Sequence, residues 1–108
     1  MESTIALNIT EEHIKRAEFA RNQPDYSPTA HCPTAQALND LGYDDVSVGF
    51  AMATIYEDHE PYVFLTGQLE QIIDRWVEGR EFTPGVYTLT LKPKPSNLVK
   101  PDKNLLDK

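Results

Sequence analysis

The residues best placed by type and spacing to do chemistry are His31, Cys32, Pro33 and Thr34. Pro33 suits the first position of a helix, where its missing N–H costs nothing, and this puts Cys32 at the N-cap. Backbone N–H groups and the positive end of the helix dipole meet there. That environment lowers the pKa of a thiol and also suits an anion. His31 and Thr34 add donors, and His13 is a further group that could assist, so His13, His31, Cys32 and Thr34 are the candidate site for a nucleotide or other small anion. The same cysteine with a histidine could act as nucleophile and base. Neighbours in sequence, however, seldom reach the geometry of a catalytic pair, and no third orienting group stands nearby. The competing reading is a cysteine that caps and packs, since free Cys is among the most buried residue types.

Other chemistries find less support. A metal would have to use Cys32 with His13, His31 and His59, and none of these has the C-x-x-C or H-x-x-x-H spacing of zinc sites. The five glycines form no phosphate-cradling pattern. No metal and no cofactor is expected. Acid pairs such as Asp44-Asp45 and Glu57-Asp58 follow from 17 Asp and Glu residues in the chain and do not single out general acid catalysis. The expectation is a protein that is not an enzyme. A different clue is Glu70, Asp74 and Glu78, spaced by four and therefore one column on a helix. Like charges at that spacing destabilise a helix by roughly 0.2–0.5 kcal/mol per pair. Glu70, Asp74, Glu78, Asp44, Asp45, Glu57 and Asp58 are the candidate surface for a basic protein partner.

The elements that must position these groups can be read along the chain. Thr4 to Ile9 alternates like a half-buried strand. Thr10 stands at a helix N-cap, and the helix runs to about Arg21 with Ile14, Ala17 and Ala20 inside and Phe19 at the margin. Residues 22–31, with Pro24 and Pro28, read as a loop. A second helix starts at Pro33 and stops at Gly42. Val46, Val48, Phe50, Met52, Thr54 and Tyr56 share one side of a long strand, or of two strands joined by a bulge at Gly49. A turn at Glu57–Pro61 leads to a short strand, Tyr62–Leu65, which could be a sheet edge that pairs in a homodimer. The third helix has Thr66 as cap and Leu69, Ile72, Ile73, Trp76 and Val77 as its apolar stripe, with Trp76 the largest core residue. Val86–Leu91 is the last strand. The order β-α-α-β-β-α-β describes an α+β fold, a small antiparallel or mixed sheet of about four strands packed by two to three helices.

Length and charge bound the rest. With 108 residues there is room for one core, assigned to residues 1–91, followed by a basic, flexible tail over residues 92–108. The chain carries −7; the tail holds five lysines against two acids, a balance of +3, which leaves −10 on the body. Such a body repels phosphates, so direct binding of nucleic acid is not expected. One cysteine permits no internal disulfide, no secretory leader is visible, and no apolar run reaches the roughly 20 residues of a membrane span. A cytoplasmic protein is the expectation.

The stretch Ile9-Thr10-Glu11-Glu12-His13-Ile14, followed by His31-Cys32-Pro33-Thr34-Ala35-Gln36-Ala37-Leu38, resembles a pattern of small uncharacterised bacteriophage proteins, I-T-x-E-H-I then C-P-[VIT]-A-x-A-L. The likeness extends more loosely through Val46-Ser47-Val48-Gly49, the third helix and Gly79–Pro84, covering about residues 5–91. This chain departs from the pattern in having His31 where further cysteines often stand, a long loop at 22–31, and the tail after residue 92. The resemblance implies a viral accessory protein acting in the host cytoplasm. Combined with the acidic body, it suggests a binder that modulates or inhibits a host protein, with a defence component among the possibilities.

Overall fold

The computed structural model describes residues 2–93. The tail expected to be flexible lies, from Lys94 onward, outside the described residues. Nine elements follow one another: β1 (Thr4–Ile9), α1 (Glu11–Arg21), α2 (Pro28–His31), α3 (Pro33–Asp40), β2 (Val46–Val48), β3 (Met52–Glu57), β4 (Glu60–Leu65), α4 (Leu69–Val77) and β5 (Gly85–Leu91). The fold is α+β, with five antiparallel strands in the order β1-β5-β4-β3-β2 curled into one sheet.

Alternation sets which face of the sheet is dry. Ile5, Leu7 and Ile9 of β1, Leu89 of β5, Phe64 of β4, Ala53 and Ile55 of β3, and Val46 and Val48 of β2 all point inward. Ile14 and Ala17 of α1, Ala35 and Leu38 of α3, and Leu69, Ile73 and Trp76 of α4 close over them as one continuous core. Fully burying a Leu or Phe side chain contributes about 1.5–3 kcal/mol, so these layers dominate the stability. Thr10 caps α1 as expected, accepting from the backbone N–H of His13, while the His13 ring accepts from Thr10 N–H at 2.9 Å. Trp76 is buried, edge-on to Phe82 at 6.2 Å, with the Arg21 guanidinium 3.5 Å over its ring. Phe64 rather than Trp76 is the largest fully enclosed side chain.

Four sequence expectations change. The long strand is a hairpin: Gly49 N–H donates to Met52 C=O at 2.8 Å, the chain reverses, and Val46 faces Ile55 while Val48 faces Ala53. The reversal also flips the parity, so Phe50, Met52 and Tyr56, expected inside, are exposed, and Ala53 and Ile55 take their place. Residues 22–31 are not all loop, because α2 forms behind Pro28, with Tyr26 brought to 3.5 Å from the Trp76 indole nitrogen. Thr66 does not cap α4. Its buried hydroxyl donates instead to Phe50 C=O at 2.7 Å, tying the β2–β3 turn to the α4 approach, and Gln68 holds the cap position. Finally, β4 lies between β3 and β5, so the edge strands are β1 and β2.

Candidate functional site

The helix start at Cys32 has the backbone foreseen. Cys32 sits at the N-cap of α3 in extended conformation and Pro33 is at the first helical position. Its chemistry differs, because the start of α3 is packed into the core: Cys32 is 3% exposed and Thr34 fully buried. Burial pushes the thiol above its ordinary pKa, and the N–H groups of Ala35 and Thr34 counter this only in part. The lowered thiol pKa expected from the N-cap position is therefore overturned by desolvation. Thr34 Oγ1 makes no hydrogen bond of good geometry, so its contact with the sulfur is weak.

The two histidines do not join this cysteine. His31 Nδ1 accepts from Ser27 N–H at 2.9 Å, and its ring leans on Tyr26 with centroids 6.0 Å apart. His13 lies at the other end of α3: its Nδ1 accepts from Thr10 N–H, which leaves the proton on Nε2 to be donated to Asp40 Oδ2 at 2.8 Å. Arg16 holds the same carboxylate with two contacts, 2.6 and 3.3 Å, and together they keep the Asp40 carboxyl below its ordinary pKa. This His13–Asp40–Arg16 set joins α1 to α3. It was not readable in the sequence, since Asp40 lies 27 residues from His13 and no local motif links them.

The acidic candidates separate into two surfaces. One is the sheet end made by β2, β3 and β4. Glu57 pairs with Glu60 across the hairpin, and Tyr56 N–H donates to Asp45 C=O at 2.9 Å, which carries the ladder one step past Val46 and sets Asp44 and Asp45 beside Tyr56 and Glu57. Asp58 is at the hairpin tip. The register thus gathers Asp44, Asp45, Glu57 and Asp58, with Glu60, at adjacent strand ends about 5 Å apart. All are exposed. Residues 22–74 contain no Lys or Arg at all, and among the described residues Asp44, Asp45, Glu57 and Asp58 form no ion pair.

The second surface is α4. Glu70 and Asp74 border a shallow depression of about 380 Å³ with Phe50 and Gln71. Glu78 is already engaged, accepting from Arg80 at 2.7 Å, and Arg75 adds a cation on the same helix. Since α4 follows the far end of β4, six residues long, the two acidic surfaces are separated by about 17 Å along that strand. The seven acids proposed as one surface are therefore two, and at the sheet end Asp44, Asp45, Glu57 and Asp58 form no ion pair among the described residues. No helix of the described residues is long and apolar enough to cross a membrane. No family model, curated protein or solved structure matches this chain.

Proposed function

We propose that the protein is a non-enzymatic accessory protein that binds a protein partner with a basic surface through the acidic sheet end at Asp44, Asp45, Glu57 and Asp58. The observation that carries this reading is that these carboxylates stand at adjacent strand ends, exposed and without ion pairs among the described residues. Such a patch attracts cationic surfaces from a distance and sets the orientation of encounter. The side chains sit on a hydrogen-bonded ladder, so the array is presented with little ordering cost on binding. The buried thiol with its raised pKa supports the non-enzymatic part, because the thiolate is the reactive form. The sequence resemblance points to a viral protein acting on a host protein in the host cytoplasm, to modulate or inhibit it.

The test is capture from host lysate with the full chain, compared with a variant neutralised at the sheet end (Asp44→Asn, Asp45→Asn, Glu57→Gln, Asp58→Asn) and one neutralised on α4 (Glu70→Gln, Asp74→Asn). The expected result is a specific partner that elutes with rising salt, is lost with the first variant and kept with the second. Capture that is indifferent to ionic strength, or to the first variant, rejects the proposal.

A further inference from the structure

The helices cover only one face of the sheet, and the other face is not uniform. On β1 and β5 it is mostly polar, with Thr4, Asn8, Thr88 and Thr90 outward beside the small Ala6 and one isolated apolar residue, Val86, which is 69% exposed. On β3 and β4 it is apolar: Met52 stands opposite Leu65, Thr54 opposite Val63, and Tyr56 opposite Pro61. Met52, Tyr56 and Leu65 are 40–44% exposed, an uncovered apolar patch on a surface otherwise rich in charge. Its border is the acidic sheet end.

The described chain ends beside this face. Leu91 pairs with Phe64, and Lys92 N–H donates to Val63 C=O at 2.8 Å, so β5 leaves the sheet running along β4 toward Glu60 and the hairpin tip. Fifteen residues remain, 94–108. They carry Lys94, Lys100, Lys103 and Lys108 against Asp102 and Asp107, a net +2, while the rest of the chain carries −9. Two apolar pairs, Leu98-Val99 and Leu105-Leu106, are set between the lysines. Asp44 and Asp45 lie two strand spacings from Glu60, about 10 Å. Seven residues from Pro93 to Lys100 span up to about 23 Å, enough to reach the whole acidic rim.

We propose that residues 94–108 dock in cis on the outer face of β3 and β4, with Leu98, Val99, Leu105 and Leu106 against Met52, Tyr56 and Leu65 and with the lysines on the acidic rim. The tail is then a built-in competitor for any basic partner of the sheet end. That consequence rests on the function proposed above, whereas the docking does not, and the following experiment needs no external partner.

Two readouts on the full chain test the docking. Carbodiimide cross-linking of a mixture of ¹⁴N- and ¹⁵N-labelled protein, analysed by mass spectrometry, should join tail lysines to Asp44, Asp45, Glu57, Asp58 or Glu60 within one isotopic species. Those links should exceed links to Glu70 and Asp74 severalfold and fade in about 0.5 M salt. Oxidation of Met52 by peroxide should be slow in the parent and severalfold faster after Leu98→Ser, Val99→Ser, Leu105→Ser and Leu106→Ser, all of them outside the described residues, with circular dichroism of the variant checked against the parent. Links only between isotopic species would mean docking on a second copy and overturn the proposal. So would links shared evenly with α4, no links, or a Met52 oxidation rate that the serine variant leaves unchanged.

Discussion

The hairpin that presents Glu57 and Asp58 is closed by two residues, Asp58 and His59, both with positive φ, 52° and 67°. Positive φ at both central positions is the type I′ pattern, whose twist matches that of the flanking strands and whose preferred second residue is Gly. A residue with a Cβ in the left-handed region costs about 1–2 kcal/mol. Replacing His59 by Gly removes that cost, and the added freedom of the unfolded chain returns about 0.4–1 kcal/mol of it. The net expectation for His59→Gly is a gain of about 0.5–1 kcal/mol, which for a fold of this size raises the melting temperature by about 2–8 °C. Gly42→Ala supplies the opposite sign: Gly42 has φ 102° with no atom within 4 Å of an added Cβ, so its loss comes from the backbone alone. Thermal unfolding followed by circular dichroism measures both. If His59→Gly melts at or below the parent, or if the two variants shift in the same direction, the strain argument for this turn is wrong.

Two further outcomes concern ionisable groups. Because burial raises the Cys32 thiol, the neutral form is the one the fold favours; stability from this group is complete below the unfolded thiol's value of about 8.5 and falls as pH rises through the native pKa. Urea unfolding between pH 8 and 10 should show that decline, Cys32→Ala should lack it, and native Cys32 should alkylate far more slowly than the unfolded chain. Asp40 has the opposite sign: held down by Arg16 and then His13, it stabilises above the ordinary carboxylate value of about 3.9 and loses that contribution as pH falls through its lower native pKa. Asp40→Asn should therefore flatten the acid limb of the stability profile below about pH 4, and an unchanged limb would show that the contact with Arg16 and His13 is not maintained in solution.

The elements legible in the sequence were those whose pattern came from a single buried face. β1, β5 and α4 alternate or repeat because one side of each is largely wet and polar, with Val86 of β5 and Val77 of α4, expected in the apolar stripe, as the exposed exceptions, and Thr10 announces α1 through its own side chain. The β2–β3 hairpin is hidden from the sequence pattern for a physical reason. Val46 and Val48 are inner, Met52 and Tyr56 are outer, and since the outer face there is itself apolar the alternation runs unbroken across the reversal. Ala53, small enough to pass for the exposed side, is fully buried against the core. The candidate acids were visible one at a time, and the α4 column by its spacing. The grouping of Asp44 and Asp45 with Glu57 and Asp58 required the strand register, which composition does not encode. Cys32 shows the reverse case: the N-cap position is legible locally, and the burial that its residue type already suggested outweighs it.

The hidden hairpin and the proposed docking share one cause. An apolar alternation that continues onto the solvent side of β3 and β4 has no role in the core beneath it, yet Met52, Tyr56 and Leu65 remain there together, while the outer positions on β1 and β5 carry Thr and Asn apart from Ala6 and a single exposed Val86. An edge of carboxylates beside such a patch disfavours stacking of one copy on another, since like-charged rims repel, while leaving the patch open to anything that brings cations with its apolar side chains. The fifteen residues that follow Pro93 have that composition and start beside the patch. A basic partner must offer the same combination and displace them, so its affinity should rise when the tail lysines are neutralised and fall when the rim acids are. The two effects have opposite signs, and so distinguish competition in cis from a partner that is simply attracted to negative charge.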